Sequence, residues 1–562
     1  MNKRFSNIIL ACAASLIMSA SNAGAQVALT PAQQNAINSG TNSAAADLSQ
    51  RVREFFNTMA KKEAETSFNE QVEEKAAPAA PVKETPEIKI FLKSLQFTES
   101  ELIDKETLNA ISEKYQNQEI VIGDLYKACS EVNEIYAKKG YLASKALIKA
   151  QKIDDGVVVI TLVEGKVEEA AVKGNKATKA RYIERYFDIK QGTYPNFKNI
   201  KKQIQVFNNT NSTKLQIKMV PGKAPRTTDI YIVAAEPEKV ERFTFFTDNS
   251  GRENSGEWRY GLNYSNVNMC GYCDSINIAA IQADTSVTSM LNYSIPTDDK
   301  GNRLAVNYSS NHMRVSHGPM KDLDIRGVSE VAGLTYTHPI TRRSDKKQKL
   351  NIGFQNQHSA TDVKTLGARY VHDDNRRVTI SYDDLLIRKT DLFYFRPAFS
   401  YTDYSSTPLV GDCVNRNYSK LNVDALYQKF KKNGDSLTAQ VTIQKAFKDD
   451  VSSADRLYVG GVYSVRGYEE SLLAGDSGVN VKLDYFWHTH TKGLRAITFF
   501  DYANVSGEMV RDTNNISSLG YGLEYRHKDV SMTTTVGYPL KKRVNGVKVD
   551  DNNVNVSLNY TF

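Results

Sequence analysis

Between Val479 and Trp487 the side chains alternate. Val479, Val481, Leu483, Tyr485 and Trp487 fall on one side, and Asn480, Lys482, Asp484 and Phe486 on the other. Successive residues of a strand point to opposite faces, so such a segment presents one apolar surface and one polar surface. The final residues repeat the pattern, with Val554, Val556, Leu558, Tyr560 and Phe562 opposite Asn553, Asn555, Ser557, Asn559 and Thr561; Trp258, Tyr260, Leu262 and Tyr264 give a third example. An apolar outer face and a wet inner face are what a membrane-spanning barrel requires, because every backbone polar group in hydrocarbon must find a partner within the protein. The 325 residues from 238 to 562 read as strands almost throughout. At roughly 20 residues for each strand and its connection they predict about 16 antiparallel strands, an even number. A lumen of that width leaks unless something fills it.

Composition narrows the reading further. No apolar run of about 18 residues or more follows the N-terminal segment, which excludes a helical span. Mean hydropathy is −0.46, yet the chain holds 30 Tyr and 22 Phe against 2 Trp, aromatics that suit a barrel's outer face. The formal charge of +8 is small for 562 residues, and the absence of a concentrated basic tract or aromatic-basic module argues against nucleic acid. No G-x-x-x-x-G-K-[ST] motif is present. No Ser/His/Asp set suggests a catalytic centre, and His488-Thr489-His490 reads as a solvated turn without further metal-ligand spacing. The expectation is a protein that is not an enzyme and needs no cofactor or metal.

Lys3 and Arg4 precede an apolar run from Ile8 to Ala20 and then Ala23-Gly24-Ala25. This predicts a secretory signal peptide over residues 1–25, cleaved after Ala25; a lipid anchor on Cys12 would leave too short an apolar stretch upstream. Export to an oxidising compartment makes Cys270-Gly271-Tyr272-Cys273 a local disulfide in preference to a redox centre. No second pair exists to complete a zinc site. Residues 26–86 contain "DLSQRVREFFNTMAKKEAE", with Asp47 as N-cap, which reads either as one isolated helix over 47–64 or as part of a disordered N-terminus. The Ala/Pro-rich stretch after it is an extended linker.

From 87 to 165 the pattern becomes strand, helix, helix, strand, strand. Leu125, Cys129, Val132, Ile135 and Tyr136 recur at helical spacing up to Gly140, which makes Cys129 a core thiol. Asp154-Asp155-Gly156 signals a hairpin. Residues 166–237 repeat the order, so two small α+β modules stand in tandem. The first carries Tyr136, Gly140 and Tyr141, then Gln151 and Gly156, then "VEG" at Val163 to Gly165, and resembles a POTRA domain of outer-membrane transporters.

Within the barrel region, "DDVSSADRLYVGGVYSVRGYEESLLAGDSG" connects a strand ending near Phe447 to one starting near Val479. Connections this long are usually functional or disordered. In "LRAITFFDYA" the apolar face is Leu494, Ala496, Thr498, Phe500 and Tyr502, which turns Arg495, Phe499 and Asp501 inward; an aspartate facing lipid would be costly. If the loop folds back, Arg466 can pair with Asp501, Phe499 can pack against Tyr468, and Gly467 lets the backbone approach the wall. On the residues alone, the reading of Arg466 and Asp501 as unrelated loop and lumen charges is preferred to their pairing. "VRGY" at Val465, Arg466, Gly467 and Tyr468, followed by "LAGDSG", resembles the loop motif of the Omp85 superfamily, and Phe499-x-Asp501 is similar to the strand motif that anchors it there. "FTDNSGRENSGEWRYGLNYSNVN" resembles the first barrel hairpin of two-partner secretion transporters, the group of haemolysin activators and filamentous haemagglutinin exporters (TpsB). Two departures stand out: the turn after that hairpin is "MCGYCDS" where the family has a sequence like Gly-Leu-Gly-Asp, and the N-terminal segment lacks a glutamine-rich helix.

The resemblance implies a protein of the Gram-negative outer membrane, with the POTRA modules in the periplasm capturing an unfolded secreted exoprotein such as a haemolysin, adhesin or contact-dependent toxin, and the barrel passing it outward. Tyr141, Lys145 and Gln151 are the implied POTRA contacts, although core packing explains Tyr141 equally well. Tyr560 and Phe562 resemble the terminal signal read by the barrel assembly machinery, with periplasmic chaperones as further partners during biogenesis and outer-membrane lipid around the finished barrel. The alternatives are a membrane-protein insertase of the same superfamily, which typically carries more POTRA modules, and a diffusion porin, which needs no docking platform. In this reading residues 47–64 and the long loop together close the resting pore, and the helix leaves when the partner arrives: deletion of 47–64 is expected to raise ion conductance across a planar bilayer, and unchanged conductance would remove the helix from that role.

Overall fold

The computed structural model describes residues 89–562 apart from 154, 319–320, 344, 410–411, 508–509 and 511. The signal peptide, the 47–64 helix and the linker lie outside the described residues.

The first module comprises β1 (Lys89–Leu92), β2 (Ser94–Phe97), α1 (Lys105–Tyr115), β3 (Gln118–Val121), α2 (Ile122–Lys139), β4 (Lys145–Ile148) and β5 (Val157–Val163). Strand β5 lies centrally, parallel to β2 and antiparallel to β4. A ribbon of β1 with β3 adds to the predicted element order; strands of only four residues carry too little period-2 signal to be read from sequence. Asp104 caps α1 by accepting from the Thr107 N–H at 2.8 Å. Helix α2 buries Leu125, Cys129, Val132 and Tyr136 against the sheet. Burial pushes the Cys129 thiol up to about 11, as expected of a core thiol that does no chemistry. The glutamate of "VEG" has a packing role as well: Glu164 accepts from Tyr136 Oη at 2.8 Å and the Glu101 N–H at 2.9 Å, and also bonds Ser100.

The second module repeats the arrangement with β6 (Lys166–Lys173), α3 (Ala180–Glu184), α4 (Phe197–Thr210), β7 (Lys214–Pro221) and β8 (Thr227–Ala235), in sheet order β6-β8-β7. The modules meet where α2 ends. Gly140 adopts φ +94°, its carbonyl accepts from the Phe197 N–H at 2.8 Å, and the Asn196 side chain both caps α4 and donates to the Lys139 carbonyl at 3.1 Å.

Sixteen antiparallel strands close the barrel. They are β9 (Glu241–Asp248), β10 (Arg259–Asn266), β11 (Ser275–Gln282), β12 (Ser286–Pro296), β13 (Arg303–Arg314), β14 (Ile325–Arg342), β15 (Lys346–Val363), β16 (Ala368–Ile387), β17 (Asp391–Pro408), β18 (Val414–Phe430) and β19 (Ser436–Ala446). After the short loop strands β20 (Leu457–Val459) and β21 (Leu473–Gly475) come β22 (Ser477–His488), β23 (Leu494–Ser506), β24 (Asn515–His527) and β25 (Val530–Pro539). A small ribbon, β26 (Arg543–Val544) with β27 (Val547–Lys548), precedes the last strand, β28 (Asn553–Thr561), which pairs with β9. The alternation holds as read: Trp258, Tyr260, Leu262, Leu483, Trp487, Leu558 and Tyr560 are exposed on the outer face, whereas Asp484, Phe499 and Asp501 are buried inside. Phe562 stacks on Phe243 with centroids 5.6 Å apart, and their backbones exchange two hydrogen bonds across the closing seam. No described helix is long and apolar enough to cross a membrane.

The turn "MCGYCDS" docks the barrel onto the second module. The Lys179 N–H bonds the Gly271 carbonyl at 2.9 Å, and Asn268 Nδ2 donates to Thr178 Oγ1 at 2.9 Å. Cys273 is buried in the module's core with Tyr182 and Phe207, with Tyr272 packed against it. Arg303 ties both sides together through the carbonyls of Cys273 at 3.1 Å and Thr210 at 3.4 Å. The expected Cys270–Cys273 disulfide is therefore corrected: both thiols are free, Cys270 exposed and Cys273 buried. The turn is shaped by Asp274 accepting from the Cys270 N–H and Asn268 accepting from the Cys273 N–H, which sends the Cys273 thiol into the module and away from its partner.

The junction between modules makes a prediction. A Cβ on residue 140 would lie 2.6 Å from Asn196 Oδ1, and a left-handed backbone costs a non-glycine residue about 1–2 kcal/mol. Gly140→Ala is expected to loosen the modules and speed protease cleavage near residues 165–166 in outer-membrane preparations; an unchanged cleavage rate would show that the contact does not hold them.

Candidate functional site: the loop inside the barrel

Residues 447–476 leave β19, enter the lumen and return to β22. The loop has its own stem, because β20 and β21 pair antiparallel from Leu457↔Gly475 to Val459↔Leu473. Above the stem the chain must reverse in little space, and Gly460, Gly461 and Gly467 all take positive φ, which costs glycine nothing.

Arg466 stands at the tip, buried. Its backbone N–H donates to Asp501 Oδ2 at 3.0 Å, Nε donates to the same oxygen at 2.7 Å, and Nη2 donates to Asp501 Oδ1 at 2.7 Å. Nη2 also donates to Asp484 Oδ1 at 2.6 Å. The guanidinium lies 3.6 Å from the Phe499 ring centroid, close enough for a cation–π contact. Cross-strand register explains the cup: Asp484 faces Phe499, and Lys482 faces Asp501. Lys482 Nζ donates to the Val462 carbonyl at 2.7 Å, a further tie between wall and loop. A planar, five-donor guanidinium can serve two carboxylates at once, and an ammonium cannot reproduce that fork.

The expected pairing of Phe499 with Tyr468 gives way to a different division of labour. Phe499 carries the arginine. Tyr468 is buried in a cluster with Val465, Leu457, Val505 and Ile516, where its hydroxyl donates to the Ser517 carbonyl at 3.0 Å and accepts from the Lys541 N–H at 3.1 Å. Gly467 does approach the wall as read, since a Cβ there would lie 2.8 Å from the Gly537 carbonyl carbon; a Cβ on Gly537 would in turn lie 2.5 Å from Gly467 N. Two facing glycines set the loop-to-wall distance. On the far side, Tyr463 Oη accepts from Arg259 at 2.9 Å while Arg259 ion-pairs with Asp248 at 2.7 Å, which ties the loop to β9 and β10.

Asp484 and Arg259 were not singled out by sequence, although Asp484 lies on the inward side of the alternation that defines β22. The structure does not bring the POTRA residues into this site. Tyr141 is half-buried against the core of the first module, and Lys145 is exposed at the start of the edge strand β4. Gln151 is occupied in bridging the hairpin, donating to the Val159 carbonyl at 2.8 Å and accepting from its N–H at 2.9 Å. His488 and His490 are exposed at the turn after β22. Among the described residues the group that could hold a metal ion is His358, His372 and Asp374, on the strand face shared with outward Phe354 and Val378 and so outside the lumen.

Removing one partner of a buried ion pair costs about 3–5 kcal/mol because the other charge is left unpaired. Arg466→Ala and Asp501→Ala are each expected to leave a barrel that still inserts but whose loop is freely cleaved by added protease, and Arg466→Lys should resemble Arg466→Ala. Wild-type protease resistance in all three variants would defeat the assignment of this cup as the anchor.

The chain matches the family model described as haemolysin secretion/activation protein ShlB/FhaC/HecB over residues 227–526, and the POTRA domain, ShlB-type, over residues 90–165. It is 19% identical over 487 residues to the heme/hemopexin transporter protein HuxB of Haemophilus influenzae (strain 86-028NP), covering 80% of this chain and 84% of that one. It is 21% identical over 477 residues to the outer membrane transporter CdiB of Dickeya dadantii (strain 3937), covering 80% and 82%. Among solved structures, CdiB from Escherichia coli superposes with a TM-score of 0.61 at 18% identity, covering 96% of this chain and 100% of that one. BamA from Haemophilus ducreyi lacking POTRA domains 1–3 superposes at 0.53 and 13% identity, covering 84% of this chain and 100% of that one. A closed sixteen-strand barrel, a loop held in its lumen by the arginine of "VRGY", and a POTRA domain on its periplasmic side thus go with a family model that spans more than half of the chain: this protein belongs to the ShlB/FhaC/HecB family of outer-membrane two-partner secretion transporters.

Proposed function

We propose that the chain exports a dedicated exoprotein: the POTRA modules take up an extended, unfolded segment of the partner in the periplasm and hand it to the barrel, which passes it to the cell surface. The observation that carries this reading is the docking of the second module on the barrel's first periplasmic turn through Gly271, Tyr272 and Cys273. A platform fixed to the pore is useful to a transporter that must deliver a chain to one place. β2 and β4 are the edge strands of one module and β6 and β7 of the other; single positions such as Ala146, Val167 and Leu215 are already bonded by side chains or a turn, and an extended peptide can add along the rest of such an edge through backbone hydrogen bonds. Leu142 and Leu147 are exposed beside β4, and Met219 on β7, giving apolar footholds for alternate side chains.

The lumenal loop supports the same reading, since a pore wide enough for a polypeptide needs an internal obstruction at rest. No nucleotide motif supplies energy. The partner's folding outside the cell makes its return unfavourable and so drives the passage. A diffusion porin would have no use for the modules, and an insertase would act on many barrel proteins.

The test is to express the protein with the large exoprotein encoded beside it. That exoprotein is expected in the culture medium with the intact chain and absent when residues 87–237 are deleted, with other outer-membrane proteins assembled normally. A broad failure of outer-membrane assembly on deletion would favour the insertase reading instead.

A further inference from the structure

The root of the lumenal loop carries a second group of charges, apart from the tip. Asp455, at the end of the 3-10 turn Ser453–Asp455, is 1% exposed. Its Oδ1 accepts from Lys420 Nζ at 2.6 Å, and its Oδ2 accepts from Tyr418 Oη at 2.7 Å and Thr402 Oγ1 at 3.2 Å. Arg377 completes the set with an ion pair. One loop carboxylate thus gathers side chains from β16, β17 and β18, whereas Arg466 is held by β22 and β23.

The neighbouring backbone is tied down too. Gln444 Nε2 on β19 donates to the carbonyls of both Asp455, at 2.7 Å, and Asp476, at 2.9 Å, which lie at the two feet of the loop stem. Arg456 bridges the feet through Asp450 at 2.9 Å and Asp476 at 3.4 Å, and Asp450 reaches Arg416 on β18 at 2.7 Å.

The charge count at Asp455 matters. Lys420 is buried and Arg377 half-buried on the inner wall, and a cation taken out of water is strongly unfavourable without a partner. A wall that carries two of them around one position is complementary to a loop that brings a carboxylate there. The tip shows the opposite balance, one loop arginine facing two wall carboxylates. The loop therefore engages the barrel through two sites of opposite sign, and neither site suits the other's partner.

We propose that Asp455 is a second positioning residue of the transporter: with Lys420, Arg377 and Tyr418 it forms a root lock that holds the loop in the lumen independently of the Arg466 tip lock. The inference rests on the reading of the loop as the obstruction in the pore. With the tip released and the root closed, the loop can lift while it stays tethered inside the barrel. With both open, it leaves.

The test uses the full-length protein in planar bilayers, with heat-modifiable gel mobility confirming a folded barrel, and cargo secretion scored separately. Asp455→Asn is expected to raise channel conductance severalfold with Arg466 intact, Lys420→Met is expected to raise it in the same direction, and Asp455→Glu is expected to retain the closed level. Asp455→Asn combined with Arg466→Ala is expected to exceed either single variant. Should Asp455→Asn fail to assemble because the cluster gains an excess of positive charge, Asp455→Asn with Lys420→Met leaves its net charge unchanged and is expected to show the same rise. Parental conductance in the folded Asp455 and Lys420 variants would overturn the root lock, as would a double variant no more conductive than Arg466→Ala alone. Conductance is read without cargo, so a failure of the export reading would show only in secretion and a failure of the lock only in conductance.

Discussion

Arg466 is taken out of water inside the barrel, and stripping a guanidinium of its hydration costs several kcal/mol unless its donors are all met. Asp501 and Asp484 accept from Nε and Nη2, and the ring of Phe499 covers the guanidinium face. These three groups come from adjacent strands in one register, so the arginine's burial depends on β22 and β23 pairing as they do. A slip of one residue would send Asp501 toward lipid and Phe500 into the lumen. The same alternation that makes the barrel stable in a bilayer therefore builds the cup, and the interaction works as a check on the register of the wall as well as an anchor for the loop.

The other fixed point is the periplasmic junction. Tyr272 and Cys273 occupy a turn where the family resemblance leads one to expect a shorter, glycine-rich sequence, and they insert into the core of the second module beside Tyr182, Tyr186 and Phe207. Burial pushes the Cys273 thiol up from its ordinary range, which suits packing better than redox exchange. The departure that sequence could describe but not explain is a rivet. Its mechanical result is that the edge strands of the β6-β8-β7 sheet move with the barrel mouth.

What the sequence made legible followed from periodicity. Strand alternation foretold the barrel, its strand count, the outward aromatics of β10 and β28, and the inward Asp501; helical spacing located the core face of α2 and the thiol of Cys129. Gly467 was readable because a bulky residue has no place between two backbones. The β1–β3 ribbon was hidden because four residues carry no period. Asp484 was in plain view on the inward side of β22, but the sequence offered no reason to choose it over Lys482. Asp455 and its wall partners were out of reach altogether: the loop has no period of its own, and Arg377, Thr402, Tyr418 and Lys420 meet only because three long strands stand side by side. The expected disulfide failed for a related reason, since C-x-x-C spacing says nothing of where each thiol points once Asn268 and Asp274 have shaped the turn.

A closed barrel has no edge, and its width is set by strand number and stagger, so an obstruction has to come from within and has to be removable. An apolar plug in a polar lumen would leave wall hydroxyls and carboxylates without partners. A loop held by ion pairs satisfies them while it is in place, and when it moves both halves of each pair return to a lumen that water can fill. The cost of opening is then the loss of these directed contacts together with the exposure of the apolar cluster around Val465 and Tyr468. Charge also makes the fit selective: the root offers cations to Asp455 and the tip offers carboxylates to Arg466, so a loop that slides along the wall meets like charge at either end. Opposite signs at the two sites therefore give the loop one resting position, and the apolar cluster of Leu457, Val459, Val465 and Tyr468 against Ala503, Val505 and Ile516 packs it there.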